Sequence, residues 1–139
     1  MSKLACISIL ATFAAVASAA DNPAPDLRGT WKGESESIVL GAGNPHHLPT
    51  KKNEPELRSV PFTMTIDKQE GRRLSGTYAS ARGTSKIIAV ISRNGTIFMV
   101  DDLGHTQGTV LGPNRLELCY QRASTALRIA SCTELTRQQ

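Results

Sequence analysis

The chain has 139 residues, 16 Lys and Arg against 12 Asp and Glu, and aromatic side chains at only 4%. Its formal charge of +4 is spread thinly, with Lys51-Lys52 and Arg72-Arg73 as the only basic doublets. That distribution points away from nucleic acid, whose binders concentrate basic charge beside aromatic groups, and the length suits one domain.

The first twenty residues read as a signal peptide. Lys3 supplies the positive start, Leu4 to Val16 is apolar and uncharged, and Ala17-Ser18-Ala19 or Ser18-Ala19-Ala20 offers the small residues of a cleavage site. The apolar run falls short of the roughly 20 residues that a membrane span needs. Cys6 precedes most of this run, which argues against lipidation. The expectation is a periplasmic or secreted protein, free of the membrane after cleavage, with residues 21–139 as its one domain.

Beyond residue 20 no stretch keeps a helical period. Short runs rich in Val, Ile, Thr, Tyr and Phe are separated by turn residues about every ten positions, the pattern of an all-β sandwich or barrel. The first strand is read over 27–40, with Leu27, Gly29, Trp31, Gly33, Ser35 and Ser37 on one face and Arg28, Lys32, Glu34 and Glu36 on the other. The first of these rows becomes small and polar beyond Trp31, which predicts unfilled volume inside. A long connection over 41–59 follows, with Pro45, Pro49 and Pro55, read either as a cover over one barrel mouth or as a surface loop. His46 and His47 read as a solvated loop tip.

Strands near 60–68 and 72–81 alternate Phe62, Met64 and Ile66, then Leu74, Gly76, Tyr78 and Ser80, with polar neighbours, and the small inward Gly76 and Ser80 add to the predicted volume. Strands near 85–92 and 96–102 flank Asn94-Gly95, read as a two-residue turn between Arg93 and Thr96. That register puts Ile87, Ala89, Ile91, Phe98 and Val100 on the core face. Ile88, Val90, Ile97 and Met99 then form an apolar outer patch, expected to associate with another copy or a protein partner. The last strands are read near 105–111, 115–122 and 127–136. If the final hairpin turns at Thr125-Ala126, Cys119 faces Cys132, which predicts a disulfide on the outside of the sheet. Of the three cysteines, Cys6 is expected to leave with the signal peptide, and the remaining even pair fits an oxidising compartment.

Short hairpins between successive strands favour closing the sheet, since closure removes its edges. The expected fold is a single eight-stranded antiparallel up-and-down β-barrel, with a sandwich as the alternative. Leu27-Arg28-Gly29-Thr30-Trp31 and Leu74-Ser75-Gly76-Thr77-Tyr78-Ala79-Ser80-Ala81 resemble the first and third strands of the avidin and streptavidin family, a calycin-type barrel. The resemblance implies Ser37, Tyr78 and Ser80 as ligand contacts, with Trp31 low in the barrel. Gly33 and Thr133 stand where that family has asparagine and aspartate, and Trp31 is the single tryptophan.

Neither a Gly-x-Ser-x-Gly elbow nor a His-Glu-x-x-His metal motif is present. The expectation is therefore a non-enzymatic protein without cofactor or metal, binding a small, partly apolar ligand in the barrel mouth. The alternative is an inhibitor or interaction module that uses its outer surface and has a filled interior.

Overall fold

The computed structural model describes residues 23–51 and 54–139, so the expected signal peptide over 1–20 lies outside the described residues. Eight strands follow in order: β1 Gly29–Gly41, β2 Glu56–Glu70, β3 Arg73–Ser80, β4 Gly83–Ile91, β5 Ile97–Val100, β6 His105–Gly112, β7 Arg115–Ala123 and β8 Leu127–Arg137. Each pairs antiparallel with the next, and β1 pairs with β8, closing the barrel. The eight expected strands are all present. β2 begins earlier than expected, which trims the long loop to the residues between Gly41 and Glu56.

Alternation fixes which side chains face inward. Trp31, Met64, Ile66, Leu74, Ile87, Ile91, Leu116, Leu118 and Leu135 form the main core at one end, the floor. Trp31 is 0% exposed and donates its indole N–H to the Leu27 carbonyl at 2.9 Å. The Arg137 guanidinium lies 4.2 Å from the Trp31 ring centroid, in cation–π range. The incoming chain seals this end: the Leu27 amide donates to Gln69 Oε1 and Gln69 Nε2 to the Pro25 carbonyl, each at 2.8 Å. A smaller cluster of Val39, Leu127 and Ile129, with Tyr120 against it, lies toward the other end, the mouth.

The final hairpin has the expected register. Cys119 pairs with Cys132, their Cα atoms are 4.0 Å apart, and the two form a disulfide. Leu116, Leu118, Ile129 and Leu135 are buried on the opposite face.

The hairpin joining β4 and β5 corrects the expected outer patch. Ile91 pairs with Ile97, not with Phe98. The loop has three residues: the Gly95 amide donates to the Ser92 carbonyl at 3.0 Å, and the Ser92 amide to the Thr96 carbonyl at 2.8 Å. Gly95 has φ +87°, the left-handed residue that such loops place after a type I turn. One extra loop residue flips every β5 side chain. Ile97 and Met99 are therefore buried, at 3% and 5% exposure, while Phe98 and Val100 face out at 49% and 45%. Ile88 and Val90 face out as expected, opposite Val100 and Phe98 respectively.

Gly33 and Gly76 also differ from expectation. Their small size does not open volume but lets neighbouring backbones approach. A Cβ on Gly33 would lie 2.0 Å from the Glu134 carbonyl oxygen, and one on Gly76 would lie 1.9 Å from that of Thr65.

Candidate functional site

The same alternation that fills the floor delivers polar groups to the mouth. β1 goes from Trp31 to Ser35 and Ser37, β3 from Leu74 to Tyr78, and β8 from Leu135 to Thr133 and Ser131. Between them lies a cavity with about 40 Å³ open to the centre of a water molecule, walled by Phe62, Ile87, Met99 and Leu118. Its polar lining is Ser35, Tyr78, Thr106, Tyr120, Ser131, Thr133 and Asp101, with Asn44, His46 and His47 from the long loop. About 10–15 Å³ of such volume holds one water, so the cavity takes roughly three, or a molecule of a few heavy atoms.

The expected loop tip is corrected here. His46 and His47 are 6% and 4% exposed, buried in the mouth. His46 Nδ1 pairs with Ser80 Oγ at 2.9 Å and Nε2 with Ser85 Oγ at 3.2 Å. Its ring meets Phe62 edge-on, with centroids 5.3 Å apart, and Phe62 in turn packs on Tyr78 at 4.5 Å. Loop residues carry no periodicity, so hydropathy gives no signal of this burial. The spacing Asn44-Pro45-His46-His47 does signal a turn, because an Asn side chain favours turns that bond the following amides, but it does not say which way the turn faces.

The expected ligand contacts are divided by the structure. Tyr78 lines the cavity, and its hydroxyl donates to Thr133 Oγ1 at a long 3.4 Å. Ser37 is buried and reaches Ser35 Oγ at 3.0 Å. Ser80 faces the loop, where its hydroxyl meets His46 and accepts the Arg82 amide at 3.2 Å. Trp31 belongs to the floor. Residues that the sequence reading missed as site candidates are Thr106, Tyr120, Ser131, Thr133 and the two histidines.

Two buried polar atoms in the lining have no hydrogen-bond partner, His47 Nδ1 and the Tyr120 hydroxyl. Arg122 Nη1 is likewise without a well-formed bond, and the Arg122 guanidinium faces the Tyr120 hydroxyl closely enough to stabilise its charged form. Burial drives the electrostatics. It lowers His46, against the opposing pull of Asp101 and Asp102, and brings His47 down to about 4, with Arg58, His46 and Arg82 adding to the effect. Burial also pushes Tyr78 and Tyr120 up to about 12. At neutral pH both imidazoles and both phenols in the mouth are thus uncharged. Among the described residues no group of three or more His, Cys, Asp or Glu side chains could hold a metal ion.

No family model matches the sequence, and no curated protein matches it. Among solved structures, the S-type phycobiliprotein lyase CPES from Guillardia theta is similar, at 13% identity and a TM-score of 0.35, over 81% of this chain and 89% of that one. That neighbour is named a lyase, so the expectation of a non-enzymatic protein is withdrawn. At this distance it assigns no role to any residue here. The closed eight-stranded barrel fits the calycin-like class in general and does not single out the avidin family.

Proposed function

We propose that this protein is an exported barrel that binds a small, partly apolar, uncharged ligand in its mouth cavity. The observation that carries this reading is a buried, unpartnered His47 Nδ1 beside a Tyr120 hydroxyl that has at most a loosely placed Arg122 for a partner, in a cavity with an apolar wall. Buried polar groups are nearly always satisfied, so such atoms mark where a guest supplies the missing bonds. Tyr78, through its weakly held hydroxyl, is the proposed contact from the floor side; Ser37 supports Ser35, and Ser80 supports the loop. Biotin fits poorly, because it exceeds the roughly 40 Å³ available and the mouth has no tryptophan wall.

Export rests on the pattern from Lys3 to Ala20, and the disulfide fits an oxidising compartment. Intact mass of the mature protein tests it: a start near Asp21 is expected, and a start at Met1 refutes it. Binding is tested by thermal shift with a panel of small uncharged amphipathic molecules, biotin included. At least one should raise the melting temperature, and Thr133→Leu, which fills the cavity, should abolish the rise.

A second reading rests on a separate observation, the outward cluster of Ile88, Val90, Phe98 and Val100. These side chains oppose one another in two directly facing pairs and carry no charge that would select a charged partner. We propose that this face packs against a second copy in an isologous contact. Sedimentation at high micromolar concentration should show a dimer that Phe98→Glu dissociates; a monomer at that concentration refutes the contact.

A further inference from the structure

Between β1 and β2 the chain forms a loop closed at its neck. The Thr50 amide donates to the Gly41 carbonyl and the Gly41 amide to Thr50 Oγ1, each at 2.9 Å. Ends this close define an Ω-type loop. Asn44 Oδ1 winds the tip by accepting the His46 and His47 amides at 2.8 and 2.6 Å. The tip places two imidazoles over the cavity in unlike settings. His46 spans β3 and β4 through Ser80 and Ser85. His47 leaves Nδ1 without a partner.

We propose that residues 42–49 are a proton-operated lid, closed over the cavity while His47 is neutral and released from the mouth when His47 takes up a proton. The proposal rests on the reading of that cavity as a ligand site, and it supplies what that reading lacks, a way in. The cavity of about 40 Å³ admits a few waters, and Asn44, His46 and His47 take up one side of it, so moving the loop is what makes room for a larger guest.

The surrounding charges set the direction of the switch. His47 is faced by Arg58 of β2, by Arg82 in the turn after β3, and by His46, all of which oppose its charged form. Arg58 is held against the loop, donating to the Leu48 carbonyl and, at 3.2 Å, to that of Pro49. A protonated His47 would therefore be a buried cation beside guanidinium groups, a costly state that water at the surface relieves. His46 is faced by Asp101 and Asp102 of the turn after β5, which favour its charge. His46 is thus the latch and His47 the trigger. Tyr78 and Tyr120 keep their protons throughout, since both are pushed up to about 12.

The sign follows from burial of a neutral base. An imidazole held below its ordinary value stabilises the closed state fully above about pH 6.5, and that contribution is lost as pH falls toward the folded value, about 4 for His47.

Amide hydrogen exchange on the intact, disulfide-bonded protein reads the lid without any ligand. Corrected for intrinsic rates, protection of the His46 and His47 amides should fall roughly tenfold or more between about pH 7 and about pH 4.5. Leu118 and Leu135 amides should keep theirs, which controls for global unfolding. His47→Leu should hold the lid closed at both pH values, whereas Ser80→Ala with Ser85→Ala should loosen it at both. Unchanged wild-type protection, or a fall that persists in His47→Leu, overturns the lid. If the exchange behaves as stated yet no small molecule binds, the lid stands and the ligand reading falls. If a molecule binds equally at both pH values with the tip protected, the lid falls and the ligand reading stands.

Discussion

At the floor of the barrel, Trp31, Leu116 and Leu135 are fully buried against one another and the chain from Ala24 to Arg28 closes the end. At the mouth, the same strands present Ser35, Thr106 and Thr133, equally out of water, around space that protein atoms leave unfilled. The difference is not one of burial but of what the buried groups find. Floor side chains find carbon, and their packing supplies stability. Mouth side chains find a partial hydrogen-bond network, with His47 Nδ1 orphaned and the Tyr120 hydroxyl loosely held, an arrangement that contributes little to stability and that the proposed guest would complete.

Substitutions at the two ends should break or sharpen this contrast. The largest effect is expected at the floor: Trp31→Ala should lower unfolding free energy by about 3–5 kcal/mol, measured by chemical denaturation. It removes the largest fully buried side chain. If Trp31→Ala costs no more than a mouth substitution, the floor is not the structural end. Next comes the crosslink that ties β7 to β8. Cys119→Ala with Cys132→Ala should cost about 2–3 kcal/mol, since the closed segment is short. A loss within error would mean that the sheet alone holds that hairpin.

The mouth should respond more weakly, and to pH. Neutral His47 in the closed protein contributes stability above about pH 6.5 that is lost as pH falls toward 4. Because solvent lies close to the loop, the expected loss is about 1–2 kcal/mol, and His47→Leu should remove that pH dependence. Smallest of all, Thr133→Val should change stability by less than about 1 kcal/mol, because the bond it removes from Tyr78 is 3.4 Å long. A cost above about 2 kcal/mol would show that the mouth network is structural and not poised for a guest.

The floor was far more legible in the sequence than the mouth. Alternation alone places Trp31, Met64, Ile66 and Leu74 inward, and the facing cysteines fix the last hairpin, because both signals repeat along a strand. The β5 facing was lost to one residue: a two-residue and a three-residue loop at Asn94-Gly95 read alike in sequence, but their strand parities are opposite. The burial of the loop tip was illegible for another reason. His46 and His47 are buried by where a closed neck at Gly41 and Thr50 sends the loop, and no local pattern encodes that direction. Gly33 and Gly76 looked like empty volume because a missing side chain says nothing about whether a backbone fills the space.

The most direct measurement is residue-resolved NMR of the protein titrated with a small uncharged molecule identified by thermal shift. The account predicts that shifts concentrate at Ser35, Tyr78, Tyr120 and Thr133, with His47 among them, and vanish in Thr133→Leu. Shifts confined to the outer face around Phe98, or shifts that survive in Thr133→Leu, would contradict it.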